Sequence, residues 1–301
     1  MKILSIALKL STFTVCMAAS NLLLADTIVS KDITGTVINS QYVVGGTSYN
    51  VDWYIPSGPA SALVTDQHGF SRGCGNQRDT SKRMMAAGVM VFCMNADVSG
   101  GAPRTAEALA EALVYSGQSA PGGITIPYKI IVGGHSAGGH FASRLGWKLN
   151  QIAPDRLKGA ILFDPVAAGG FSENIYGISQ NGWRPVYAIT SRSNPCNLFN
   201  NAHEALRNAR NAAIANGRDG FVGIQLTYRS THVDSEGNNT DLLGPSACLQ
   251  AAPKSYNTAY LRDLSSQWAF DIANDVKNPT AYPGGSYIST LQQWNAAKLI
   301  Q

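Results

Sequence analysis

Three residues suited to covalent acyl chemistry stand far apart in this chain: Ser136, Asp164 and His232. A serine hydroxyl is a poor nucleophile until a base takes its proton. A histidine base in turn needs an acid that holds it in one tautomer. Ser136 lies in Gly134-His135-Ser136-Ala137-Gly138, directly after the apolar run Ile130-Ile131-Val132. The spacing G-x-S-x-G keeps the positions two residues to either side of the serine free of side chains, as a sharp strand-to-helix turn requires. The pattern also arises by chance and then marks a glycine-rich turn with a solvated serine. A buried strand before it and a helix after it are the context that gives it weight.

The chemistry these residues imply is acyl transfer. Ser136 attacks an ester carbonyl, His232 takes and returns the proton, and Asp164 orients the imidazole. An oxyanion intermediate needs two backbone donors. The candidates are the N–H of Ala137, just after the serine, and the N–H of Phe70 in the turn His68-Gly69-Phe70. Other acids are weaker choices. Asp234 is two residues from His232, Asp219 precedes a strand at the opposite end of a sheet, and Asp97 follows a strand end. His135, His140 and His203 read as structural, and His68 as a shaper of the oxyanion turn. Trp147 and Trp183 could line a cleft, but aromatics are more often core.

These side chains must be positioned by the elements around them. Residues 33–44 and 49–55 alternate apolar and polar about Gly45-Gly46 and predict an antiparallel edge pair. Short apolar runs at 62–65, 89–94, 129–133, 159–163 and 186–190 predict buried parallel strands, and 221–228 the last strand. Helices are predicted at 79–87, 104–116, 137–150, 201–216 and 255–277, with a possible short one near 289–299. Residues 167–184 are rich in Gly, Ser and Asn and read as loop. Strands alternate with helices, so the expected fold is α/β, a doubly wound, mainly parallel sheet flanked by helices. Ligands bind beyond the carboxyl ends of such strands. Phe70, Ser136, Asp164 and His232 all follow strand ends on that rim. The segment between Asp164 and residue 186 is short and hydrophilic and leaves no room for a large lid.

With these motifs in place, the chain resembles the α/β-hydrolase superfamily. Gly134-His135-Ser136-Ala137-Gly138-Gly139, His68-Gly69-Phe70 and Phe163-Asp164-Pro165-Val166 carry the likeness, which spans roughly residues 45–275. The nucleophile, acid, base order Ser136, Asp164, His232 matches that scaffold. Within it, Asp164-Pro165-Val166 is similar to the chlorophyllase-like branch, beside the bacterial polyester-hydrolase-like one. The polyester-hydrolase pattern puts its acid after the following strand. Here that loop, Ser191-Arg192-Ser193-Asn194-Pro195-Cys196, has no carboxylate. The resemblance implies a secreted serine esterase with an open cleft and no metal or organic cofactor, acting on small, lipid or polymer esters. A serine acyltransferase with the same triad and a catalytically silent binding protein on this fold are the alternatives.

Composition sets the remaining bounds. The chain has 301 residues, 45% hydrophobic and only 14% charged, against a usual charged share of about 25%. It is long enough for a sizeable core and shows no repeat or linker, so residues 26–301 are expected to form one domain. The start, Met1-Lys2-Ile3-Leu4 followed by a mostly apolar run to Ala25, reads as a signal peptide over residues 1–25. Cleavage within 18–20 is the other option, and Cys16 lacks a good lipobox. Removing Lys2 and Lys9 leaves 21 basic against 19 acidic side chains, a net charge of about +2 instead of +4. No arginine cluster interleaved with aromatics points to nucleic acid. Cys74, Cys93, Cys196 and Cys248 make an even set in an exported chain and predict disulfides. Three pairings are open, and the topology favours Cys74–Cys93 with Cys196–Cys248. The reading is thus a secreted or periplasmic monomer without stable membrane insertion.

Overall fold

The structure, a computed structural model, describes residues 33–301. The expected signal peptide at 1–25, with Cys16, lies outside the described residues. The strands are β1 (Gly35–Val44), β2 (Thr47–Pro56), β3 (Leu63–Thr65), β4 (Met90–Met94), β5 (Ile130–His135), β6 (Leu157–Phe163), β7 (Val186–Thr190), β8 (Gly223–Leu226) and β9 (Ala297–Leu299). They form one sheet in the order β1-β2-β4-β3-β5-β6-β7-β8-β9. The six central strands from β4 to β8 run parallel. Antiparallel strands close both edges: β1 and β2 at one, β9 at the other.

The helices are α1 (Cys74–Ala86), α2 (Pro103–Tyr115), α3 (Ala137–Ile152), α4 (Phe171–Ser179), α5 (His203–Ala215), α6 (Leu243–Ala247), α7 (Ser255–Asn274) and α8 (Ser286–Gln293). Continuous apolar strands make sense because both sheet faces are covered. Successive side chains point to opposite faces. On β5, Ile130 and Val132 join Phe141, Leu145 and Phe171 in one core, whereas Ile131 joins Leu261, Leu264 and Trp268 in the other. The same division splits Leu162 from Ile161 on β6 and Phe92 from Val91 on β4.

Five expectations change. Residues 167–184 hold α4, whose Phe171, Ile175 and Ile178 are buried in the first core, so this segment is a packed helix. The strand expected at 221–228 is Gly223–Leu226 and is not the last, because β9 pairs with it. The helix expected near 289–299 divides into α8 and β9. Helix α1 starts at Cys74, not at 79, with Asn76 and the Gly73 backbone forming its first-turn contacts. Helix α7 stops at Asn274, where Asp275 turns left-handed at φ 55°. The disulfides are Cys74–Cys93, which ties α1 to β4, and Cys196–Cys248, which ties the loop after β7 to the end of α6.

Candidate active site

Strand β5 ends at His135 and α3 begins at Ala137, so Ser136 alone makes the turn, at φ 57° and ψ −123°. A non-glycine residue with positive φ is strained and persists only where its surroundings over-determine it. Here the surroundings do so through close backbone packing. A Cβ on Gly134 would lie 2.4 Å from the Gly138 carbonyl oxygen. A Cβ on Gly138 would lie 2.3 Å from the carbonyl oxygens of both Gln67 and His68. The Ser136 N–H donates to the Phe163 carbonyl at 3.0 Å, which fixes the elbow to the end of β6.

The loop after β8 folds back over the rim and brings His232 to Ser136. His232 Nε2 is 2.8 Å from Ser136 Oγ, and its Nδ1 is 2.7 Å from Asp164 Oδ2. A carboxylate can only accept, so Nδ1 carries the proton and Nε2 is free to accept from the serine hydroxyl. The His232 backbone is held from both sides. Its N–H donates to Gln250 Oε1 at 2.8 Å, and its carbonyl accepts from His135 Nε2 at 2.7 Å. Asp164 sits immediately after β6, itself left-handed at φ 40°, with its N–H on the Ile189 carbonyl.

Asp164 is buried, and burial alone would raise its pKa. The hydrogen bond and charge of His232, together with two hydrogen bonds from Ser191, outweigh this and hold the carboxyl below its usual value. The Ser191 N–H donates to Oδ1 at 2.9 Å and its hydroxyl to Oδ2 at 2.6 Å. Asn197 Nδ2 adds weaker contacts to both oxygens at 3.3 and 3.2 Å. Ser191 and Asn197 do not stand out in the sequence, because the loop after β7 holds no carboxylate. The available signal was a polar run starting directly after a strand end on the same rim.

On the other side of the serine, the turn Gly69-Phe70-Ser71-Arg72 is closed by the Arg72 N–H on the Gly69 carbonyl at 3.2 Å. A Cβ on Gly69 would fall 3.1 Å from Ser136 Cβ, so this turn passes directly beside Ser136. His68 Nδ1 donates to the Gly69 carbonyl at 2.9 Å, in keeping with its expected place in the turn. Among the described residues, neither the Phe70 N–H nor the Ala137 N–H has an acceptor. Arg72 anchors the turn through buried Glu236, with Nε and Nη2 at 2.8 and 2.5 Å from the two carboxylate oxygens. Its Nη1 pairs with Asp241 at 3.0 Å.

The remaining candidates go elsewhere. Asp234 accepts from the Thr231 N–H and hydroxyl, and burial pushes it up to about 7. Asp219 pairs with Lys277, and exposed Asp97 accepts from Ser99. His135 is pushed down to about 4, first by burial and then by the charge of His232, so its 3.8 Å approach to Glu236 is not an ion pair. His140 Nδ1 accepts from the Ala168 N–H, and His203 bonds Thr190. Trp147 lies under Arg144, and Trp183 borders a separate cavity with Arg184 and Tyr187. Among the described residues, no group of three or more His, Cys, Asp or Glu is placed to hold a metal ion.

Ser136 and His232 open into a cleft of about 480 Å³. Phe70, Ala137, Val166, Leu198, Val233 and Leu243 give it a mostly apolar lining, and the Cys196–Cys248 disulfide forms part of one wall. Helix α4 packs on α3 and α5, and none of its residues lines the cleft.

No protein-family model and no curated protein matches this sequence. Solved structures do match its fold. Carboxyl esterase 2 from the mycorrhizal fungus Tuber melanosporum superposes with a TM-score of 0.57 at 13% identity, over 82% of this chain and 89% of that one. An arylesterase matches with a TM-score of 0.51 at 13% identity, over 81% and 88% of the two chains. Dienelactone hydrolase from Anabaena variabilis matches with a TM-score of 0.52 at 13% identity, over 78% and 96%. The chain has the α/β-hydrolase fold.

Proposed function

We propose that this protein hydrolyses carboxylic esters through an acyl-enzyme on Ser136. The observation that carries the reading is the continuous line from Asp164 Oδ2 through His232 to Ser136 Oγ, at 2.7 and 2.8 Å. It ends on a serine held at φ 57° that shares the cleft with Phe70 and Ala137, whose backbone N–H groups have no acceptor among the described residues. His232 Nε2 takes the Ser136 proton as Oγ bonds to the ester carbonyl carbon. The carbonyl oxygen becomes an oxyanion facing the N–H groups of Phe70 and Ala137. His232 then gives the proton to the leaving alcohol, and the acyl group stays on Ser136. Water, deprotonated by His232, repeats the sequence and releases the acid.

Esterases and a dienelactone hydrolase among the structural neighbours support this reaction class. The acid directly after β6 supports a chlorophyllase-like arrangement of the triad. Export with loss of residues 1–25 belongs to the same reading and is supported by the two disulfides.

The test uses the purified chain and its Ser136→Ala variant with p-nitrophenyl butyrate and a fluorophosphonate probe. The expected result is turnover by the parent only, with a covalent phosphonate found by mass spectrometry on Ser136. Turnover that survives Ser136→Ala, or a probe adduct on another residue, would overturn the assignment.

A further inference from the structure

Six large apolar side chains at the cleft or beside its lining residues in the chain face solvent: Phe70 at 61% exposure, Leu198 at 52% and Leu243 at 73% line it, and Phe199 at 71%, Leu242 at 91% and Leu249 at 85% directly adjoin lining residues in sequence. Single exposed leucines need no explanation, but a contiguous apolar rim does. These residues come from three segments: the oxyanion turn, the loop after β7 and the α6 segment. The last two are joined by Cys196–Cys248, so their apolar side chains are held on one covalently tied wall.

The backbone adds a second, independent observation. Leu198, Phe199 and Leu249 have left-handed φ of 45°, 57° and 54°. Glycine and asparagine take this conformation readily, whereas a leucine or phenylalanine there is disfavoured. A buried side chain could offset that disadvantage by packing, but these three are more than half exposed. The surrounding loops impose this backbone, and the fold gains little packing from the apolar side chains there, so their character is open to use by something that covers them.

The charges of the cleft restrict what that is. Its charged lining residues, Arg72 and Asp241, are paired with each other, and Arg72 is also neutralised by buried Glu236. Neither of these two lining charges is left unpaired for an ionic headgroup. The rim is continuous with the opening through which an ester must reach Ser136. Four of its six side chains are aliphatic, which suits fluid acyl chains. We infer that the rim docks on the surface of droplets of uncharged fatty-acyl esters, and that the protein draws its substrate from that condensed phase. This rests on the ester-hydrolase reading above.

Phe199, Leu242 and Leu249 do not line the cleft, so they can be altered without touching its wall. Phe199→Asn and Leu249→Asn also suit the left-handed backbone, which guards against misfolding; Leu242→Gln completes the triple variant. Two measurements separate docking from catalysis. In the Ser136→Ala background, flotation with a trioctanoylglycerol emulsion reads binding alone. With Ser136 present, p-nitrophenyl acetate in solution reads chemistry alone. The expected result is at least a tenfold loss of apparent affinity for the emulsion, with soluble-ester kcat/KM kept within twofold. Equal flotation of the triple variant and the parent would overturn the inference. So would a polyester film that needs these residues while the emulsion does not, or a dimer in sedimentation that the triple variant dissociates. Absence of p-nitrophenyl acetate turnover in the parent would refute the esterase reading and leave the flotation result to be judged separately.

Discussion

Replacing Asp164 by asparagine tests the geometry of the site more sharply than Ser136→Ala, because the side-chain shape is conserved. The orientation of the new amide is dictated by its neighbours. The Oδ1 position receives the Ser191 N–H at 2.9 Å, a donor that cannot turn away. The amide oxygen must therefore occupy that position, and the NH₂ takes the place of Oδ2. Of the groups facing Oδ2, the Ser191 hydroxyl at 2.6 Å can rotate to accept. His232 Nδ1, at 2.7 Å, can accept from the NH₂ only by giving up its own proton. The imidazole is then driven to the tautomer protonated on Nε2, which points a proton at Ser136 Oγ and cannot take one. In serine-protease triads the same exchange lowers kcat by about 10⁴, close to 5.5 kcal/mol of barrier. We expect a fall of about 10³–10⁴ in kcat for p-nitrophenyl butyrate, a parallel slowing of fluorophosphonate labelling and little change in KM. A variant that retains kcat within tenfold would refute both the tautomer argument and the choice of Asp164 as the orienting acid.

Three further outcomes follow from packing, charge and covalent ties. Gly138→Ala places a Cβ 2.3 Å from the carbonyl oxygens of Gln67 and His68, in the segment between β3 and Phe70; stability should drop by about 1–3 kcal/mol and kcat by about 10²–10³, read by thermal melts and steady-state kinetics. Asp66 is fully buried, accepts from the Ser81 hydroxyl and is pushed up to about 7 by burial. Between its unfolded value near 4 and 7 the folded state holds a proton that the unfolded chain has lost, so stability falls as pH rises through that window. Asp66→Asn should therefore leave stability near pH 4 almost unchanged and raise it at pH 8 by at most about 4 kcal/mol, seen as a flatter pH dependence of the urea midpoint. The double change Cys196→Ser with Cys248→Ser opens a tie across a sequence separation of 52, worth about 4 kcal/mol of unfolded-chain entropy; it also frees the segments carrying Asn197 and Gln250, so activity per folded molecule should fall, whereas Cys74→Ser with Cys93→Ser should cost stability alone.

Much of this arrangement was legible in the residues because parallel strands covered on both faces must be continuously apolar. The runs at β4, β5, β6 and β7 announced themselves, and the residues directly after them could be assigned to one rim. What escaped notice did so for physical reasons. Helix α4 carries Phe171, Ile175 and Ile178 at helical spacing, but Gly169-Gly170 and the asparagines around it gave the segment the composition of a loop. Strand β9 has three residues, one of them an exposed lysine, and exists only because β8 offers it an edge. The left-handed backbone at Leu198, Phe199 and Leu249 contradicts local preference and is imposed by the surrounding loops.

The position of the acid shows how sheet order and side-chain chemistry divide the work. Strand β6 lies beside β5, with β7 and then β8 beyond it. The histidine loop must cross back from β8 over the ends of β7 and β6 to reach Ser136. A carboxylate at the end of β6 sits beneath that crossing, close to Ser136 and shielded from water. Burial there works against its charge. The loop after β7, which has no carboxylate, offsets this with donors: the Ser191 N–H, the Ser191 hydroxyl and the Asn197 amide. Two adjacent strand ends thus share one function, β6 supplying the charge and β7 the hydrogen bonds that keep it charged. Moving the carboxylate to β7 would therefore require more than a new acid at position 191. It would remove the donors that hold Asp164 ionised and leave two buried carboxylates side by side, one of which would have to take up a proton.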